Sequence, residues 1–298
     1  MTTTTTIQRF AASTPGAILA DAMRRDGCVV IEGLIDAAAV GRMNDELASH
    51  VARRPDGLGG DTYGDFWGSN TVRFQGLATK SPTYVSAVML NPVLLAIADE
   101  ILRPNCGDYW ISQTETIFIG PGENAQELHR DDLNWSYATA MGIDLQFSAL
   151  VAVGDYDAEC GATMAIPGSH LWPRDKPVDP SLAAPVELEP GSALVYLGSL
   201  VHGGGRNATT DRVRKAVYCG YLLGWLTPEE ATALSLTPED ASSIPPRARQ
   251  LLGWSSQRGN KATSGVAGAM QLWQLDDDDL GRYDGLFSND PLPEGADR

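Results

Sequence analysis

Cysteine offers this chain no structural framework. The four residues Cys28, Cys106, Cys160 and Cys219 stand far apart and form no Cys-x-x-Cys pair, which excludes a zinc knuckle and a disulfide scaffold. Positive charge is also short: 22 Lys and Arg face 38 Asp and Glu, a formal net charge of −16. Nucleic acid and anionic membranes are held by clustered cations, so neither is expected as a partner. No apolar run approaches the roughly 20 residues that cross a bilayer. Met1 followed by Thr2 to Thr6 shows no basic stretch leading into an apolar one, so no secretory leader is expected and a reducing cytoplasm is the expected compartment. Histidine is as scarce as cysteine, with residues at 50, 129, 170 and 202.

The rest of the composition, 43% hydrophobic and 20% charged over 298 residues, is that of a globular protein. Gly16 to Asp26 reads as an amphipathic helix with Ala17, Leu19, Ala20 and Met23 at helical spacing, stopped by Gly27. Cys28 to Ile31 follows as a short buried strand, and Asp36 caps a second helix over 37–52. A loop over 57–70, a strand over 71–77 and a helix from Pro92 to Leu102 come next. From Trp110 the period changes to two, with strands expected at 110–119, 144–153, 162–166, 185–189, 193–198 and 213–224. Short strands after a helical opening favour a β-sandwich or barrel over a doubly wound sheet. No internal repeat appears. The expected organisation is one domain over 1–298, with a strand-rich core at about 110–226 and a helix-and-loop extension over 227–298. That extension carries Asp276 to Asp279 and reads as a solvated acidic tail.

Among so few histidines one constellation stands out. His129-Arg130-Asp131 is answered far downstream by His202. Two imidazoles and one carboxylate, two of them in a His-x-Asp triplet, are the set that holds non-haem Fe(II) on one face. About half of the coordination sphere then stays open for a co-substrate and O2, unlike a closed structural site. His170 follows a Pro-Gly-Ser turn and reads as a loop anchor, and His50 as a solvent-facing residue near a helix end.

Three stretches carry a family resemblance: Gln126-Glu127-Leu128-His129-Arg130-Asp131-Asp132, Gly161 to His170 with its Ile-Pro-Gly-Ser-His ending, and Val201-His202-Gly203-Gly204-Gly205-Arg206-Asn207. With the opening Arg25 to Ile31, they make the chain resemble the phytanoyl-CoA dioxygenase family over about residues 16–230. Gly224-Trp225-Leu226-Thr227-Pro228-Glu229-Glu230 is similar to the branch that oxidises fungal meroterpenoids and indole alkaloids. The resemblance implies a double-stranded β-helix, a cupin-like jelly roll, preceded by N-terminal helices. It implies Fe(II) held by His129, Asp131 and His202, with 2-oxoglutarate and O2 as co-substrates, and a homodimer. It makes His170 a structural tie. Asp131 fills the position that related halogenases leave to a halide, so oxygenation is the implied outcome.

A 2-oxoglutarate also needs a cation for its distal carboxylate, and Arg offers a bidentate grip. Arg212 and Arg214 both lie at the head of the expected last strand. Alternation does not separate them, because residues two apart share a face. The resemblance selects Arg214, with Thr163 and Gln126 as hydrogen-bonding partners of the co-substrate. If Arg214 points inward, Tyr218 and Gly220 share its face, Gly220 leaving room for a bulky ligand with Ala149 on the opposite wall. A β-bulge between Arg214 and Gly220 would instead turn Tyr221 inward. Phe66 and Trp67, in the run Tyr63 to Trp67, together with Trp135 and Tyr137, offer aromatic surface at the pocket mouth. The expectation is an oxygenase of an apolar polycyclic secondary metabolite, such as a terpenoid or alkaloid. The alternatives are a hydroxylase of an acyl-CoA or small polar acid, and a non-redox cupin-like metal-binding protein.

Overall fold

The computed structural model describes residues 7–53 and 64–254, with two short paired strands at 257–258 and 271–272. The acidic run at 276–279, the tail after it and Tyr63 lie outside the described residues.

A short strand that the sequence pattern missed, β1 (Arg9–Ala11), pairs in parallel with β2 (Cys28–Glu32). Between them α1 (Gly16–Asp26) buries Leu19, Ala20, Ala22 and Met23. It ends where Gly27 adopts φ 83°, its N–H reaching Met23 O at 2.7 Å. A side chain there would be strained, and its Cβ would lie 2.6 Å from His170 Nδ1. Asp36 accepts a hydrogen bond from Ala39 N at 2.6 Å and so caps α2 (Ala37–Ala52). The expected loop before residue 71 contains one helical turn, α3 (Gly64–Trp67), leading into β3 (Thr71–Gln75). The chain then coils through α4 (Leu77–Lys80), α5 (Pro82–Tyr84), a π-helical turn over Val85–Met89 and α6 (Pro92–Ile101).

The remaining strands are β4 (Tyr109–Ile119), β5 (Gln146–Ala152), β6 (Met164–Ala165), β7 (Ala184–Pro185), β8 (Ala193–Leu197), β9 (His202–Gly203) and β10 (Arg214–Leu223). They form a seven-stranded sheet of order β1-β2-β8-β5-β10-β4-β3 and a small sheet of order β7-β6-β9. This is a jelly roll. Alternation gives the large sheet two different faces. Val29, Phe147, Ala149, Val195, Cys219 and Tyr221 pack with the helices, among them Leu19, Met43 and Ile97. Val30, Leu150, Leu194, Tyr196 and Tyr218 instead cluster with Ala165 of the small sheet and with Val186, just beyond β7. Polar function belongs to that second space, between the sheets.

The strand expected at 162–166 shrinks to two residues, and the one expected at 185–189 is a two-residue strand at 184–185 instead. Gly161 at φ 92° and Pro167 bound the first, and Pro185 has no N–H to extend the ladder. After β10 come α7 (Thr232–Ser235), α8 (Pro238–Ser243) and α9 (Pro246–Leu251). Among the described residues no single helix is long and apolar enough to cross a membrane. The bent pair Pro82–Met89 and Pro92–Ile101 passes that test only jointly, and it buries Tyr84, Val88, Leu94 and Ile97 in the core.

Candidate active site

His129 and His202 are brought together by the backbone. His129 N donates to His202 O at 2.8 Å and His202 N to His129 O at 3.0 Å, an antiparallel bridge between the His-x-Asp loop and β9. Each ring is then fixed by a carbonyl two residues away: His129 Nδ1 lies 2.8 Å from Glu127 O, and His202 Nδ1 lies 3.1 Å from Leu200 O. A carbonyl only accepts, so both Nδ1 atoms carry the proton and both Nε2 lone pairs are left facing inward. Those Nε2 atoms stand 3.4 Å and 3.5 Å from Asp131 Oδ1.

Burial opposes the charge on Asp131, but His202, His129 and the Tyr196 hydroxyl outweigh it and hold the carboxyl down to about 2. Burial lowers His202, keeping that imidazole neutral. Burial acts the same way on His129, where the Asp131 contact prevails and raises it. Two imine nitrogens and one ionised oxygen within 4.8 Å of one another suit a divalent iron. Tyr196, which sequence reading did not single out, donates to Asp131 Oδ2 at 3.1 Å.

The loop bearing these ligands is clamped by its own charged residues, which sequence reading also missed. Arg130 donates to Ser199 O at 3.0 Å and Ser169 O at 3.3 Å, while Arg174 grips both oxygens of Asp132 at 2.5 and 2.6 Å. His170 lies away from the triad, its Nε2 3.0 Å from Arg24 O, so it ties the Pro-Gly-Ser turn to the end of α1. His50 is half-buried rather than solvent-facing, its ring 5.9 Å from that of Phe74.

Arg214 is 1% exposed. Its Nη1 reaches Gly161 O at 3.3 Å and Thr163 Oγ1 at 3.4 Å, its guanidinium lies 4.8 Å over the Tyr156 ring, and its Nε is buried without a partner. A buried guanidinium with no carboxylate and an orphaned N–H is costly unless an anion joins it. The distal carboxylate of 2-oxoglutarate fits that need. Arg212 is spent elsewhere, on Asp157 and Glu159 at the surface. Because β10 begins at Arg214, strand alternation does not reach back to Arg212. Thr163 Oγ1 also contacts Tyr156 OH at 2.6 Å, and Gln126 Oε1 accepts from Gly204 N at 3.1 Å. Triad, Arg214, Thr163 and Gln126 all line one cavity of about 320 Å³.

The rest of the cavity wall is mixed. Phe66, Trp67, Ile117, Leu133 and Leu150 supply apolar surface, the Phe66 ring standing edge-on to His129 at 4.9 Å. Arg73, Gln113, Glu115, Asn134, Tyr218 and Glu229 supply polar surface, with Arg73 paired to Glu115 at 3.0 Å. Two expected wall positions fall elsewhere. Ala149 is on the opposite face of its strand, in the core with Phe147 and Tyr221. Gly220 has the expected parity, but Tyr218 Oη and Gln146 Nε2 already fill the space at 3.0 and 3.1 Å from where its Cβ would be. The ladder does shift, between Gly220 and Tyr221. Tyr221 nonetheless remains in the core, stacked on Phe147 at 4.8 Å. Trp135 is occupied in a hydrogen bond to Thr227 O, Tyr137 is fully exposed, and neither borders the cavity.

Comparison with known proteins agrees with this geometry. The phytanoyl-CoA dioxygenase (PhyH) profile matches residues 23–216. Dioxygenase aneA of Aspergillus aculeatus is 31% identical over 96% of either chain. Among solved structures, the epimerase SnoN in complex with Fe3+, alpha ketoglutarate and nogalamycin RO aligns at TM-score 0.54 and 22% identity, covering 75% of this chain and 90% of that one. HygX of Streptomyces hygroscopicus, with nickel and 2-oxoglutarate bound, aligns at TM-score 0.54 and 18% identity over 71% and 88%.

Proposed function

The chain belongs to the phytanoyl-CoA dioxygenase family and is a non-haem iron, 2-oxoglutarate-dependent dioxygenase. From that premise we propose that it oxidises a rigid, largely hydrocarbon secondary metabolite of terpenoid or alkaloid type. The observation that carries the reading is the buried, anion-seeking Arg214 in the same cavity as the triad. His129, Asp131 and His202 would hold Fe(II), which with 2-oxoglutarate and O2 supplies the oxidation of a substrate C–H bond as the co-acid becomes succinate and CO2. The protein's own part is positioning. Arg214 and Thr163 would fix the distal end of the co-substrate, Gln126 would flank it, and Phe66 and Trp67 would cover the outer approach.

The apolar wall of Phe66, Trp67, Ile117, Leu133 and Leu150 supports a hydrocarbon skeleton. SnoN, a fold relative, holds the small molecule nogalamycin RO in its complex. A coenzyme A substrate is disfavoured because the cavity's cations are already engaged: Arg73 by Glu115, Arg130 by backbone carbonyls. Anaerobically iron-loaded protein, given O2, 2-oxoglutarate and a terpenoid and alkaloid library, should form succinate in step with one oxidised product. Absence of 2-oxoglutarate consumption with every compound overturns the reading.

A further inference from the structure

Among the described residues, Glu229 is the one cavity-lining carboxylate with neither a cationic partner nor a place in the metal triad. Asp131 belongs to the triad and Glu115 is paired with Arg73. Among the described residues no ion pair involves Glu229. Its contacts are neutral donors, Ser112 Oγ to Oε1 at 3.1 Å and Asn134 Nδ2 to Oε2 at 2.8 Å. A carboxylate accepts about four hydrogen bonds, so each oxygen keeps capacity towards the cavity.

The position is also built. On one side of Glu229, Thr227 O accepts from Trp135 Nε1 at 2.8 Å. On the other, Glu230 N donates to Ser112 O at 2.8 Å, and Glu230 Oε2 accepts from both N and Oγ1 of Thr114 at 2.8 Å. Asn134 belongs to the turn Asp131–Trp135 that carries the metal ligand, so the hydrogen bond ties Glu229 to the reacting centre. Although the residue as a whole is exposed, protein crowds its carboxyl; that burial first, and Asp131 second, pushes it up to about 7. Such a group gains from any donor a ligand brings and loses from an approaching anion.

We propose that Glu229, with Asn134, forms a substrate subsite that takes a hydroxyl or a protonated amine on an otherwise hydrocarbon skeleton. The proposal rests on the oxygenase reading above and refines its substrate class: the molecule carries a hydrogen-bond donor at a fixed reach from the oxidised carbon, and no carboxylate there.

One skeleton with three head groups tests it. 1-Adamantanol, 1-adamantylamine and 1-adamantanecarboxylic acid are titrated anaerobically, near neutral pH, into protein loaded with Fe(II) and 2-oxoglutarate, and binding is followed by calorimetry. The alcohol and the amine should bind at least about tenfold more tightly than the acid. In Glu229→Gln, which keeps the shape but removes the charge and turns one acceptor oxygen into a donor, the amine should lose about tenfold or more and its advantage over the acid should vanish. The wild-type ranking decides the matter even if the variant does not fold. An acid that binds as well as the amine, a ranking unchanged in Glu229→Gln, or no binding by any of the three overturns the subsite. Consumption of 2-oxoglutarate by the wild-type protein with iron, O2 and the terpenoid and alkaloid library tests the underlying reading separately. Turnover with the wrong ranking removes only the subsite, and no turnover removes the function.

Discussion

Tyr196 contributes no metal ligand, yet its hydroxyl fixes the Asp131 oxygen that points away from His129 and His202. Groups that orient a ligand from behind are worth roughly 10- to 100-fold in metal affinity. Tyr196→Phe keeps the ring and removes only the donor, so Fe(II) affinity should fall by about that factor while the folded spectrum is retained; anaerobic metal titration reads it. An unchanged affinity would mean that Asp131 is held by its neighbours alone. Arg214 shows a different economy of position. Residues two apart in sequence have opposite fates, because Arg212 finds surface carboxylates before the strand starts and Arg214 finds none after it. Loss of a charge-assisted contact to a buried partner costs on the order of 2–5 kcal/mol. Arg214→Ala should therefore raise the KM for 2-oxoglutarate by roughly tens to thousands of fold, and Arg212→Ala should leave it within a few fold. The reverse pattern would place the co-substrate outside this cavity.

At the scale of elements, the run Gly203 to Gly205 after the second metal-ligand histidine is a packing requirement. A Cβ on Gly203 would lie 3.1 Å from Glu127 O, and one on Gly205 would press on the carbonyl oxygen of Ala162. The three strands and loops that carry His129, Thr163 and His202 thus pass one another at backbone contact. Gly205→Ala should push the Gly161–Ala162 loop outward, destabilising by roughly 1–3 kcal/mol and weakening 2-oxoglutarate binding more than iron binding, as separate titrations would show. Equal loss of both ligands would indicate general unfolding instead. The core strand β10 works differently at its two ends. Arg214 and Tyr218 line the cavity, whereas Gly220 lies under Tyr218 and Gln146, so a larger side chain there would disturb packing before it reached a substrate.

For the whole molecule, the triad joins segments that an unfolded chain keeps apart, so metal and co-substrate bind the native state alone. Each ligand at about 100 times its Kd adds about 2.7 kcal/mol by mass action. With roughly 2–4 °C per kcal/mol for a protein of this size class, Fe(II) with 2-oxoglutarate should raise Tm by on the order of 10 °C in anaerobic scans. His202→Ala should fold, since a catalytic metal site is not the core, and should lose nearly all of that rise. A full ligand-induced rise in this variant would mean that the metal sits elsewhere.

Local pattern was enough for the helices that open the chain: Gly27 and Asp36 stop and start them by backbone chemistry that depends on no distant contact. It was enough as well for the His-x-Asp triplet and its distant partner, because few residue types bind iron and the chain holds few histidines. What it left undecided depended on the other side of a contact. Two-residue strands such as β9 exist only because a partner strand supplies the hydrogen bonds. Tyr196, Arg130 and Arg174 have no sequence signature, since their roles arise from what lies across the fold. Ala149 and Gly220 illustrate the same limit. Period two says which residues share a face, but only the packed neighbours decide whether that face meets a core, a filled gap or a ligand. The balance of charge inside the cavity, with Glu115 neutralised by Arg73 and Glu229 left to other partners, was likewise decided by the tertiary structure, because burial and distance rather than composition set the cost of a charge.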